Sequence, residues 1–233
     1  MSCRVMVTFG IWAFIAPPVV AQEVALPADI RATIPQSGRL VFDVTRNGTP
    51  LGTHAVTFAV NNGFVEATID IRFKVRAAFV TLYAYSHANV ERWSYRGLEG
   101  FASRTVNDGT ETAVDVSRMG NSFKIDTMSD AIAAPAPLVS STYWHPATRD
   151  GGRMVNTETG EVDSFATAFL GHEEVETKLG TLEAEKYRLS GAVDMEIWYA
   201  AGRWVRSRFE IGGDQIEYVL TEGARDLVLV GAE

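Results

Sequence analysis

The chain has 233 residues, with 21 Lys and Arg against 29 Asp and Glu and a formal net charge of −8. A net-negative chain without a Lys/Arg cluster lacks the phosphate-neutralising surface on which nucleic-acid affinity depends, so no nucleic-acid partner is expected. Its single cysteine, Cys3, falls in a leader segment, which leaves the body without a disulfide, a thiolate nucleophile or a sulfur ligand for zinc.

Residues 1–21 read as a secretory signal peptide. Arg4 gives a positive start, Val5 to Ile15 is an uncharged apolar run, Pro17-Pro18 ends it, and Ala21 places a small residue before the cut. A bilayer-spanning helix takes about 20 apolar residues, about twice this run. The expectation is export to the periplasm with no stable membrane anchor after cleavage. Residues 22–37 carry Pro27 and Pro35 and predict an extended lead-in with one helical turn around Ala28 to Thr33. Residues 38–233 are expected to form a single β domain.

Regular structure begins at Arg39, where Leu40, Phe42 and Val44 alternate with Val41, Asp43 and Thr45. Asn47-Gly48 then signals a two-residue hairpin, because both residues tolerate positive φ. The partner strand runs through Val56, Phe58 and Val60 to the turn Asn61-Asn62-Gly63. Next, Val65, Ala67, Ile69, Ile71, Phe73 and Val75 alternate with Glu66, Thr68, Asp70, Arg72, Lys74 and Arg76. Strict period two over this length excludes a helix and predicts a strand with one dry and one wet face. Residues 79–92 predict another long strand, with Tyr83, Tyr85 and His87 on one face. Strands at 101–106 and 111–118 flank Asn107-Asp108-Gly109-Thr110, and 122–127 continues the meander. Residues 129–141, with Pro135 and Pro137, predict a connection and a short helix leading to Tyr143-Trp144. From Met154 onward, strand phrases and Gly-containing turns resume through Thr221. Turn signals at this spacing predict an all-β fold: a large, strongly curved antiparallel sheet of about ten strands, an open barrel or a sandwich, with short helical turns near residues 28–33 and 135–145.

Candidate chemistry is sparse. The histidines His54, His87, His145 and His172 show no His-x-His or His-x-x-x-His pairing, so neither a metal nor another cofactor is expected. The stretch Ser140 to Pro146 offers His145 as a general base beside a serine, but no Gly-x-Ser-x-Gly elbow exists. In a purely structural role, Tyr143 and Trp144 would anchor a loop laid over the end of the sheet. Glu91-Arg-Trp93 and Glu196-Ile-Trp198-Tyr199 are similar phrases whose glutamates would form an acid/base pair if they shared a cleft.

Residues 40–60 (Leu-Val-Phe-Asp-Val, Asn-Gly, Leu-Gly-Thr-His), Tyr83-Ala-Tyr, Glu91-Arg-Trp, Ser141-Thr-Tyr-Trp, Asn156 to Gly160 and Ile197-Trp-Tyr resemble a family of uncharacterised exported proteobacterial proteins, a domain of unknown function, over residues 38–221. The resemblance implies a periplasmic β-rich domain and carries over no catalytic residue. A remoter resemblance links the two-faced strands to lipoprotein-carrier half-barrels that hold acyl chains. Trp93, Trp144, Trp198 and Trp204 and the long strands together point to a non-enzymatic binding or envelope-maintenance protein holding an apolar small molecule on a concave sheet. The expected ligand-binding residues are Tyr83, Tyr85, Trp93, Tyr143, Trp144, His145 and Trp198. The alternatives are an envelope hydrolase using His145 or the glutamate pair, and a structural partner of an envelope protein, which would show an unpaired edge strand or an apolar patch.

Overall fold

The computed structural model describes residues 26–77 and 80–227. The leader expected at residues 1–21, with Cys3, lies outside the described residues. After a helical turn α1 (Ala28–Thr33), a run of strands comprises β1 (Arg39–Arg46), β2 (Thr49–Asn61), β3 (Phe64–Ala77), β4 (Val80–Ser94), β5 (Gly97–Asn107), β6 (Thr110–Met119), β7 (Ser122–Thr127) and β8 (Ala131–Pro135). Beyond β9 (Val139–Ser140) and a 3-10 turn (Pro146–Asp150) come β10 (Gly152–Val155), β11 (Val162–Thr177), β12 (Gly180–Gly191), β13 (Met195–Ala200), β14 (Arg203–Ile211) and β15 (Asp214–Glu222).

Tight turns connect most neighbours. Asn47-Gly48, Asn62-Gly63, Asp108-Gly109, Ala201-Gly202 and Gly212-Gly213 all hold both central residues at positive φ. That is the hairpin turn whose twist matches the flanking strands. Alternation follows. Leu40, Phe42 and Val44 of β1, Val56 and Phe58 of β2, and Val65, Ala67 and Ile69 of β3 are buried on one inner face, as the sequence pattern requires.

The expectation of a strongly curved sheet, barrel or sandwich of about ten strands is corrected. One fifteen-stranded sheet forms, in the order β8-β7-β6-β5-β4-β3-β2-β1-β15-β14-β13-β12-β11-β10-β9. It neither splits into two sheets nor closes, since β8 and β9 pair on one side only. Turn signals report that neighbours in the chain pair, and carry no information on whether the first and last strands meet. The residues read as a connection supply both end strands. β8 is short and ends at Pro135, and β9 is two residues running parallel to β10, features that blunt an exposed edge. No helix forms over 135–145 either. Pro135 and Pro137 cannot donate to one, and the helical turn starts later, at Pro146, with the His145 ring accepting from Ala147 N at 3.2 Å.

Ser141 to His145 and Asn156 to Glu161, the irregular pieces on either side of the 3-10 turn and β10, instead cross the inner face of β4 to β7 as a strap. Thr142 and Trp144 reach Glu91 of β4. Ser103 of β5 donates to the Thr157 carbonyl at 2.6 Å. At Gly160, with φ 78°, an added Cβ would lie 2.7 Å from Thr127 of β7 and 3.4 Å from Val114 of β6, so the strap's turn rests directly on those strands.

Glu91 fixes the strap. Its side chain is wholly buried, and each oxygen accepts two bonds. Asn89 Nδ2 (3.0 Å) and Thr142 Oγ1 (2.9 Å) donate to one, and the Trp93 and Trp144 indole N–H groups (2.8 and 2.9 Å) to the other. Four donors fill the acceptor sites of a carboxylate. Glu91→Gln turns one oxygen into an amide donor facing two donors, so at least one buried N–H or O–H loses its partner. The expected loss is about 3 kcal/mol in urea denaturation, with Glu196→Gln on the outer face losing much less. Equal losses from the two variants would show that Glu91 is not the anchor.

Candidate functional site

The site is built on β4. Its inward positions read Tyr83, Tyr85, His87, Asn89, Glu91 and Trp93, a polar stripe, while Leu82 and Val90 point outward and are 60% and 44% exposed. The strap satisfies this stripe. Tyr85 Oη donates to Glu158 at 3.1 Å, and the His87 ring lies 2.7 Å from Thr105 Oγ1 and 3.3 Å from Thr157 Oγ1.

Where the strap passes from β4 toward β14 and β15, a cavity of about 560 Å³ remains. Its wall includes His54, Tyr85, Tyr143, Trp204, Ser207 and Tyr218. The rings pack edge to face or tilted: His54 stands 5.3 Å from Trp204 and 5.8 Å from Tyr218, and Tyr143 is 6.1 Å from Trp204. Tyr143 holds a left-handed backbone, φ 62°, which an aromatic residue adopts only when its surroundings enforce it. Tyr199 Oη donating to the Tyr143 carbonyl at 2.8 Å, and Trp144 N donating to the Thr142 carbonyl at 2.9 Å, provide that enforcement.

Burial leaves several polar atoms of the wall without partners. His54 and Ser207 are 3% and 1% exposed, yet both His54 ring nitrogens, Ser207 Oγ and the Trp204 indole nitrogen make no hydrogen bond among the described residues. Such atoms are rare in native interiors and call for an explanation. The wall is uncharged. Burial, and secondarily the neighbouring His87, lower His54 to about 3, and burial lowers His87 to about 4. Burial also raises the Tyr143 phenol to about 12 and pushes those of Tyr85 and Tyr218 up.

The lip is charged, and of one sign. Glu158, Glu161, Asp163, Asp194 and Glu210 line it, with no Lys or Arg among the described residues of the lining. Among the described residues none of these five acids joins an ion pair, whereas Asp43, Asp70, Glu111, Glu173, Glu196 and Glu217 all do.

The seven expected binding residues fall into three groups. Tyr85 and Tyr143 line the cavity, and Tyr83 continues the β4 stripe beside it without entering the lining. Trp93, Trp144 and His145 form a packed cluster around Glu91: Trp93 stacks on His145 at 3.8 Å and meets Trp144 edge-on at 5.7 Å. They anchor the strap. Trp198 lies on the outer face, fully buried beneath Lys186 and Arg206, each 4.9 Å from its ring, with its indole nitrogen donating to Glu173 at 3.3 Å. Glu196 belongs to the same outer network, pairing with Arg208 and, at 3.4 Å, Lys186. Glu91 and Glu196 therefore share no cleft. The partners of Glu91 are not titratable, and His145 Nε2 has no hydrogen bond among the described residues. The geometry a hydrolase would need at these positions is not formed. Among the described residues no three His, Cys, Asp or Glu side chains are placed to hold a metal ion, and no helix is long and apolar enough to cross a membrane.

Sequence reading missed His54, Ser207, Tyr218 and the acidic lip. Ser207 was the visible signal, since it occupies an inward register of β14 between Val205 and Phe209. The lip joins acids from three separate segments, which no local pattern reveals.

Comparison with known proteins places the chain. A family model described as "Domain of unknown function (DUF6134)" matches residues 42–221, and the chain belongs to that family. No curated protein matches it. A solved structure described as a "Beta-barrel-like Protein of Domain of Unknown Function DUF1849 from Brucella abortus" is similar, with a TM-score of 0.61 and 9% identity, covering 79% of this chain and 95% of that one. At that identity the likeness shows a shared β-rich fold.

The buried histidines predict acid sensitivity. His54 and His145 sit at about 3 and His87 at about 4, burial being the main cause in each, against an ordinary 6.5. Below 6.5 the unfolded chain takes up protons that the folded one refuses, so stability falls as pH drops from 6.5 toward about 4. Each histidine contributes up to about 1.4 kcal/mol per pH unit. Urea denaturation at several pH values should show this slope, and His54→Phe should make it shallower. An unchanged slope in that variant would rule out His54 as a contributor.

Proposed function

We propose that this protein is an exported, periplasmic binding protein that holds a small molecule in the inner-face cavity and leaves it chemically unchanged. The carrying observation is the cavity wall, where His54, Ser207 and Trp204 present buried polar atoms without partners beside four aromatic rings. Its volume of about 560 Å³ falls within the range of small-molecule sites, about 300–1,000 Å³, and apolar walls with a few convergent polar groups are how such sites orient a ligand. The leader-like residues 1–21 support export, and the absence of cysteine after Cys3 suits a domain whose stability rests on its core.

The wall refines the expected ligand. Tyr143, Trp204, Phe209 and Tyr218 suit an apolar body, while His54 and Ser207 suit a polar group seated on the floor. The ligand is an amphiphile rather than a bare acyl chain. Tyr83, Trp93, Trp144 and His145 serve by holding β4 and the strap in place around it.

Native mass spectrometry on protein isolated from the periplasm tests this. The expected result is a stoichiometric small molecule whose removal lowers the melting temperature. Saturation at a hundredfold over Kd is worth about 2.7 kcal/mol. Ser207→Trp, which fills the cavity from its own wall, should fold and carry nothing. An apo mass that stays unchanged after incubation with envelope extract, with no thermal shift, would defeat the proposal.

A further inference from the structure

The five carboxylates of the lip stand out because they gather at the mouth of one cavity. Many acids elsewhere are neutralised by neighbours, such as Glu196 by Lys186 and Arg208, Asp214 by Arg46 and Asp226 by Arg203; others, such as Glu66 and Asp115, are single exposed charges along strands. Glu158, Glu161, Asp163, Asp194 and Glu210 have no such partner among the described residues, although four of the five are exposed positions where a lysine would fit without disturbing the core. Gathering like charges at the mouth of a low-dielectric cavity raises the local concentration of cations and repels anions.

An acidic rim alone is not a site, but here it opens onto a second, independent feature. The floor holds the unpartnered His54 and Ser207, each more than nine-tenths buried, within a wall of Tyr85, Tyr143, Trp204, Phe209 and Tyr218. Aromatic faces attract cations through their quadrupole, and their phenols are held protonated by burial, so nothing in the wall opposes positive charge. A neutral His54 accepts a hydrogen bond, and Ser207 can do the same.

We infer that the ligand is an organic cation with an apolar body: its ammonium sits among Glu158, Glu161, Asp163, Asp194 and Glu210, its hydrocarbon lies against Tyr143, Trp204 and Tyr218, and the polar group of the proposed amphiphile reaches His54 and Ser207. The inference rests on the binding reading above and assigns the charge of what is bound. Fatty acids, acyl phosphates and other anionic amphiphiles are excluded by the same rim. Affinity falls with added salt, because the rim is exposed and its field is screened over about 8–10 Å at moderate ionic strength.

Isothermal titration with three probes of one chain length separates the possibilities: octyltrimethylammonium, octanol and octanoate, each below its micelle concentration. The expected order is the ammonium tightest, octanol weaker, and octanoate weakest by at least about tenfold against the ammonium. Glu158→Gln combined with Asp194→Asn should cost the ammonium about tenfold and leave octanol unchanged, while raising the melting temperature of the apo protein by removing repulsion. If octanol or octanoate binds as tightly as the ammonium, the cation assignment is overturned while the binding reading stands. If no probe binds and Ser207→Trp behaves as the native protein does, both fall.

Discussion

Everything on the inner face depends on a single buried carboxylate. Glu91 has no cation within ion-pair distance among the described residues, and its charge would be costly in the interior without compensation. Burial pushes its carboxyl above the ordinary value, and the bonds from Trp93, Trp144 and Thr142 oppose that rise. Two of the donors, Asn89 and Trp93, come from β4 itself, and the other hydrogen bonds come from the strap, through Thr142 and Trp144. The carboxylate is satisfied only when the strap is in place. The strap in turn presents Tyr143 to the cavity, sets Thr157 on His87 and Ser103, and carries Glu158 to Tyr85. A loop of this length has large conformational freedom to lose, and an interaction that is costly unless complete selects one arrangement.

The same logic explains how an open sheet manages two covered faces. The strap fills the inner face over β4 to β7. On the outer face, Lys178 at the tip of the β11–β12 hairpin pairs with Asp43 of β1, although β13, β14 and β15 separate β12 from β1 in the sheet. The hairpin therefore reaches across those strands, and Trp198 is sealed beneath its basic and acidic side chains. Each face is closed by chain drawn from the second half of the sequence, so the sheet needs no closure into a barrel to hide its apolar residues.

Strand positions and hairpin turns were legible because both have a local cause. Period two in Val65 to Val75 and the positive φ of Asn47-Gly48 are set by residues adjacent in sequence. Which face is inner was not always legible. Glu91-Arg-Trp93 and Glu196-Ile-Trp198 look alike, and in both the acid and the indole share a face. The intervening residue decides: Arg92 turns outward and leaves Glu91 and Trp93 buried, whereas Ile197 turns inward with Tyr199 and sends Glu196 and Trp198 out. The ends of the sheet were illegible for another reason, since whether β8 meets β9 is a long-range property that no turn residue encodes. The cavity was hidden similarly, because His54, Tyr143, Ser207 and Tyr218 come from four elements brought together only by the strap.

The cavity lies where the strap leaves the polar stripe of β4. Over Glu91 the strap's polar groups find complementary partners and no space remains. Beyond Tyr85 the opposing strands, β14 and β15, present aromatics and a lone serine, against which an irregular polar segment has nothing to bond. The strap's carboxylates then line the lip with Asp194 and Glu210, Glu158 accepting from Tyr85 and Glu161 from Thr159, and neither meets a cation among the described residues. A chain under pressure only for stability would replace Ser207 or His54 with an apolar residue and relieve the lip with a lysine, each a single substitution. Retaining unpartnered floor atoms, a left-handed Tyr143 and an unneutralised rim in one place is the pattern of a surface shaped for something other than its own fold.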